Sequence, residues 1–167
     1  MTKIIGISGW SGSGKSSIIE KLIKIFNKKY NLDTSVIKHA HESFKIDHEG
    51  KDTFKFSQAG AKKVIISSKS KWVFLNNNLN NEAKLNDLID VVGKKDIILV
   101  EGWKTSNIKK IEVYRSALKK PLLYKLDNNF IAIATNEKNF TPNRKINVLD
   151  LNKEEEIADF IMNFKFN

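Results

Sequence analysis

Short β-branched and apolar runs alternate along this chain with segments of helical spacing. Lys3 to Ser8 reads as a strand, and Ser16 to Lys29 as a helix through Ile18, Ile19, Leu22, Ile23 and Phe26. Thr34 to Lys38 predicts a second strand. Thr53 to Ala59 predicts a short helix, followed by two strands at Lys63 to Ile66 and Trp72 to Leu75, close enough for a hairpin. Glu82 to Val92 predicts a helix stopped at Gly93. Ile97 to Val100 is wholly apolar, as in a strand covered on both faces. Lys110 to Tyr114 and Phe130 to Ala134 follow as strands. Asn152 stands where it would cap a last helix from Lys153 to Phe164, with Glu154, Glu155 and Glu156 in its first turn. This alternation predicts an α/β layer fold: a mainly parallel sheet with helices on both faces and an antiparallel hairpin portion.

Composition narrows the picture. With 167 residues at 41% hydrophobic, one domain spanning 1–167 is expected. No window approaches the roughly 18 unbroken apolar residues of a membrane span. The apolar start is too short for a signal peptide, so a soluble cytoplasmic protein without membrane contact is expected. The absence of cysteine excludes disulfides and zinc–thiolate sites. The net charge of +10 is almost all lysine spread along the chain, and arginine occurs only at Arg115 and Arg144. Nucleic-acid readers cluster their basic residues and favour arginine, so the charge predicts solvation and some attraction for anions, with no nucleic-acid partner.

The chemistry begins at Gly9-Trp10-Ser11-Gly12-Ser13-Gly14-Lys15-Ser16, which fits Gly-x-x-x-x-Gly-Lys-[Ser/Thr] between a strand and an amphipathic helix. Gly9, Ser11, Gly12, Ser13, Gly14, Lys15, Ser16 and Ser17 are the expected nucleotide-binding positions. The glycines allow backbone amides to converge on phosphate at a helix N-terminus. Lys15 is expected on the β- and γ-phosphates and the Ser16 hydroxyl on Mg²⁺. The fold expected around such a loop is the three-layer P-loop NTPase arrangement. An acidic partner is needed, and Glu101, ending the strand Ile97 to Val100, stands at the carboxyl edge where ligands of α/β sheets collect. Asp96, at the strand's other end, reads as a turn acid.

All three histidines lie between His39 and His48, among several carboxylates. That composition predicts a loop rather than core. Read in order, the P-loop, Lys38-His39-Ala40-His41, Gly50-Lys51-Asp52-Thr53 with Gln58-Ala59-Gly60-Ala61, and Leu99-Val100-Glu101-Gly102-Trp103-Lys104 resemble the molybdopterin-guanine dinucleotide biosynthesis adaptor family, MobB. Lys110 to Arg115 and Val148 to Leu151 match its pattern too, so the likeness runs along nearly the whole chain. The P-loop alone is shared by many families; the set of segments is much more selective.

The resemblance implies a GTP-binding protein, dimeric, with weak GTPase activity, that assists the guanylyltransferase attaching GMP to molybdopterin. It implies catalytic roles for Lys15, Asp47 and Glu101, and Mg²⁺ ligation by Ser16, Asp47 and Glu101. Lys38, His39, His41, Lys51 and Asp52 would line a place for a second, molybdopterin-type anionic ligand. Glu42-Ser43-Phe44 departs from the pattern where another histidine and an acid are expected. No Asn-Lys-x-Asp guanine clamp is present; Thr135-Asn136 stands in a comparable place, where a plain turn is the simpler reading. Guanine preference therefore comes from the resemblance.

Two other function classes compete. A small-molecule kinase shares the Gly6 to Ser16 pattern, with Asp47 as a base, but no arginine lies in an obvious lid segment. A metallochaperone GTPase would use His39, His41 and His48, without the cysteines such sites often carry. Trp103 and Tyr114 are candidates for a partner interface, with core packing the default for Tyr114. Lys104 reads as solvated.

Overall fold

A computed structural model describes residues 2–40, 44, 46–77 and 82–166. The chain falls into two compact units, residues 1–39 with 85–167, and residues 40–84.

The larger unit is built on six parallel strands: β1 (Lys3–Ser8), β2 (Thr34–Lys38), β5 (Ile97–Glu101), β6 (Lys110–Tyr114), β7 (Phe130–Thr135) and β8 (Asn147–Asp150). Their order is β2-β5-β1-β6-β7-β8, so β1 lies centrally with β5 on one side and β6 on the other. Side chains alternate across the pleat, and the two faces take different partners. On one face Ile5, Ile7, Ile97, Leu99, Ile111 and Val113 pack under helix α1 (Lys15–Lys29) and helix α4 (Glu154–Asn163), which contribute Ile18, Leu22, Phe26, Ile157 and Ile161. On the other, Ile37, Ile98 and Val100 meet helix α3 (Leu85–Val92) through Leu85, Leu88 and Ile89. Each aliphatic side chain buried fully in this way contributes about 1.5–3 kcal/mol. The expected α/β fold with helices on both faces is present.

Three sequence expectations shift. The third helix begins at Leu85, with Glu82 to Lys84 outside it. Strand β8 was not foreseen: four residues with no fully buried side chain carry too little pattern. Asn152 does not cap α4. Its backbone and side-chain N–H groups both donate to Asp150 Oδ1, at 2.9 and 3.2 Å, and Lys153 stands at the cap without a side-chain bond. Asp96 is the turn acid expected of it, accepting the Asp33 amide at 2.8 Å.

Strand β6 buries two charges. Lys110 Nζ donates to the Lys104 and Ser106 carbonyls at 2.8 and 2.6 Å and to Asp127, while Glu112 accepts the Leu123 and Tyr124 amides, each at 2.8 Å. Buried polar groups persist only when bonded in this way. Here they tie two connecting loops to the sheet, and desolvation raises the Glu112 carboxyl above its usual range.

The smaller unit holds helix α2 (Asp52–Gln58) and an antiparallel pair, β3 (Lys63–Ser67) and β4 (Trp72–Asn76), with Ile65 opposite Phe74. This is the foreseen hairpin, forming a two-stranded sheet of its own. The Asn77 side-chain amide joins Ser57 Oγ and the Ala61 carbonyl at 3.0 and 3.1 Å. Phe56, Ile65 and Trp72 are more than half exposed. Among the described residues no helix is long and apolar enough to cross a membrane.

Candidate functional site

The loop after β1 turns through Gly12 and Gly14, at φ +79° and +98°, a left-handed region that directs successive amides inward. Gly14 is the N-cap of α1, and its carbonyl accepts the Ile18 amide at 3.0 Å. Lys15 and Ser16 therefore open the helix, where unsatisfied amides favour an anion. Gly9 follows β1 directly. Ser13 is buried, and among the described residues its hydroxyl has no hydrogen-bond partner, whereas Ser11, Ser16 and Ser17 are exposed. Lys15 Nζ folds back onto the Trp10 carbonyl at 3.0 Å. Burial lowers its pKa below the usual lysine value; Glu101 opposes that shift, while Lys104 and Lys38 reinforce it.

Parallel pairing brings the acidic partner in. Register sets Ile7 and Lys38 beside Glu101, so the carboxylate emerges at the end of β5 between β1 and β2. The Ser16 hydroxyl donates to Glu101 Oε1 at 3.1 Å, and Lys38 Nζ lies 3.3 Å from Oε2. A serine hydroxyl beside a carboxylate at a phosphate-binding loop is a hard-oxygen set that suits Mg²⁺. The unpartnered Ser13 hydroxyl and the inward amides suit phosphate.

The chain around Glu101 is held tightly. Ser8 Oγ donates to the Gly102 carbonyl at 3.0 Å, and the His39 amide to the Glu101 carbonyl at 2.9 Å. A Cβ on Gly102 would lie 2.8 Å from that of His39, so β5 and the end of β2 meet this closely only with glycine there. Trp103 follows at φ +43°, unusual for a bulky residue, and its ring lies 4.8 Å from that of His39. Trp103 packs with the α3 cluster and Tyr114 with Leu123 and Phe140, the core role expected for the tyrosine.

Lys15, Ser16, Lys38, His39 and Glu101 thus belong to one unit and one end of its sheet. Asp47, Lys51 and Asp52 belong to the smaller unit. There Asp47, at φ +94°, accepts the Thr53 hydroxyl and the His48 amide. Lys51 precedes α2, and Asp52 starts it, 3.6 Å from Lys55. His41 lies outside the described residues. Thr135 ends β7 with its hydroxyl accepting the Glu137 amide at 3.2 Å, a turn contact.

Two basic residues make contacts that the sequence does not reveal. Lys104 is exposed, as expected, and sets its Nζ 4.1 Å from the centre of the Trp10 ring. Arg115, the first residue after β6, donates from Nε to the Ser13 carbonyl at 3.1 Å. The rule that singled out Glu101, a polar residue just past the carboxyl end of a strand beside β1, applies to Arg115 equally.

Comparison with known proteins meets this geometry. The family model described as molybdopterin guanine dinucleotide synthesis protein B, MobB, matches residues 4–136. The molybdopterin-guanine dinucleotide biosynthesis adapter protein of Haemophilus influenzae is 35% identical, over 96% of this chain and 88% of its own length. The protein of the same name from Escherichia coli is 31% identical, over 97% and 93%. The crystal structure of Bacillus subtilis MobB superposes with a TM-score of 0.72 at 21% identity, covering 96% of each chain, a likeness of fold. With a glycine-rich loop whose Ser16 meets Glu101, in a sequence matched along most of its length, the chain belongs to the MobB family.

Proposed function

We propose that this protein is a GTP-binding adaptor in molybdenum cofactor maturation, assisting the guanylyltransferase that joins GMP to molybdopterin. The observation that carries the reading is the Ser16 hydroxyl on the Glu101 carboxylate at the mouth of the loop Gly9 to Ser16. Phosphates would be held by the loop amides and Lys15. Ser16 and Glu101 would hold Mg²⁺, which would supply charge neutralisation at the phosphates. Lys38 and His39, beside Glu101, would meet a second anionic ligand of the molybdopterin kind. Slow hydrolysis goes with an adaptor that signals a bound state, and GTP supply goes with a cytoplasmic location.

Calorimetric titration with GTP and ATP, both with Mg²⁺, tests the reading, followed by turnover with and without the guanylyltransferase. Tighter binding of GTP, slow turnover and complex formation are expected. Preference for ATP, with turnover that rises on adding a hydroxyl substrate, would instead make the protein a kinase.

A homodimer goes with this reading, and the smaller unit supports it. A two-stranded sheet alone is marginal in water, and this one leaves Ile65 68% and Trp72 66% exposed. Pairing with the same sheet of a second copy about a twofold axis would cover both. Sedimentation equilibrium should give twice the chain mass, and Trp72→Asp should shift it toward one; a monomeric parent at micromolar concentration would refute the pairing.

A further inference from the structure

The strand order divides the site in two. Glu101 comes from β5, on one side of β1, and Arg115 follows β6, on the other. Ser16, Lys15 and Lys38 gather around Glu101, which marks that side as the phosphate and metal end. On the Arg115 side lies a polar recess at the first turns of α1, lined by Gly14, Ser17, Lys21, Arg115, Asn152 and Glu154. A nucleotide whose phosphates occupy the loop has its base to place, and this recess adjoins the loop at Gly14.

Arg115 is poised between the two. Its Nε is spent on the Ser13 carbonyl, and a Cβ built on Gly14 would lie 3.6 Å from both Nε and Nη2, so the guanidinium plane rests at the junction of loop and helix. Among the described residues its Nη donors make no further hydrogen bond. The other arginine is consumed: Arg144 Nη2 lies within 3.2 Å of the Tyr124, Asp127 and Phe130 carbonyls. Arginine carries only donors in a rigid fork. Guanine offers two acceptors, O6 and N7, on one edge, whereas adenine replaces O6 with an amino donor.

We propose that Arg115, hooked to the P-loop by Nε, donates through its Nη groups to O6 and N7 of guanine and so selects guanine over adenine nucleotides. The inference rests on the nucleotide-binding reading above and supplies the residue for a preference that no Asn-Lys-x-Asp motif explains. A guanidinium anchored to the loop backbone would couple base recognition to the conformation of the phosphate nest.

The test is calorimetry of the full chain with Mg²⁺ and GTP, ATP, ITP, 7-deaza-GTP and tripolyphosphate, on the parent and on Arg115→Gln. In the parent, ITP, which keeps O6 and N7, should bind within a few-fold of GTP, and 7-deaza-GTP about tenfold more weakly. Arg115→Gln should lower GTP affinity about tenfold to a hundredfold, leave ATP and tripolyphosphate within about threefold, and abolish the 7-deaza penalty. Equal losses for GTP, ATP and tripolyphosphate would make Arg115 a phosphate or bracing residue and overturn the proposal. So would an unchanged preference for GTP. Should the variant fail to fold, the parent decides, because an absent 7-deaza penalty is itself a refutation. Parent protein that binds GTP and ATP equally, and depends on Lys15 to do so, would sink this inference and the expected GTP preference, and leave the P-loop reading standing. A parent that binds no nucleotide would sink the P-loop reading with it.

Discussion

Lys15→Ala should lose about a hundredfold or more in GTP affinity while melting within about 2 °C of the parent. Among the described residues the ammonium makes one hydrogen bond, to the Trp10 carbonyl of its own loop, so the fold does not lean on it. Burial already disfavours its charge; Glu101 opposes that, while Lys104 and Lys38 add repulsion, and the balance stays below the usual lysine value. A triphosphate arriving beside it would relieve that repulsion and accept a charge-assisted bond. Such a bond is worth about 1.5–3 kcal/mol, or roughly ten- to a hundredfold, and long-range attraction to the polyanion adds to it. Calorimetry and a thermal melt on one preparation decide the matter. Undiminished affinity would place the nucleotide elsewhere. A collapsed melt would show that Lys15 serves the fold, against its assignment to the ligand.

The second large effect falls on stability. Lys110→Met is expected to destabilise the protein by about 3–5 kcal/mol, lowering the melting temperature by about 10 °C. Lys110 is fully buried, and its Nζ satisfies the Lys104 and Ser106 carbonyls as well as Asp127. Methionine fills the space but strands all three acceptors. Burial pushes the Asp127 carboxyl up, yet the Lys110 hydrogen bond, the Asn129 amide and the Lys110 charge together outweigh it and hold the acid below its usual value. The sign follows from that depression. The pair stabilises the fold above the ordinary aspartate pKa of about 4, and the stabilisation is lost as pH falls through the lower folded value. The gap in melting temperature between parent and Lys110→Met should therefore narrow below about pH 4. A gap that stays constant with pH would assign the loss to packing alone. Lys104 and Ser106 lie in the loop that leaves Glu101, so the variant should also weaken nucleotide binding modestly.

Strand β6 shows where reading a sequence stops. Lys110-Ile111-Glu112-Val113-Tyr114 alternates polar and apolar, the pattern of a strand with one wet face. The tertiary structure covers that face with the loops through Lys104 and Leu123, turning Lys110 and Glu112 into buried, fully bonded groups. Alternation reports which residues share a face, and not whether another segment will fold over it. Strand β8 was lost for the opposite reason, since a short edge strand buries too little to leave a pattern. Asn152 does not cap α4 because the helix starts at Glu154 with Lys153 at the cap, and the Asn152 amide is turned toward Asp150, two residues upstream.

The sequence by itself determined the glycine-rich loop Gly9 to Ser16, the helix that follows it, the buried strand ending in Glu101 and the family resemblance. These are local properties: glycine spacing, helical periodicity and an unbroken apolar run act over a few residues, and neighbours in sequence suffice to express them. Only the tertiary structure decided that Ser16 meets Glu101, that Lys38 joins them, that Arg115 holds the P-loop carbonyl and that Lys104 covers Trp10. Those contacts join residues up to 102 positions apart, and they depend on which strands flank β1. Strand order is set by how all the elements bury their apolar faces together, a collective property that no single segment encodes.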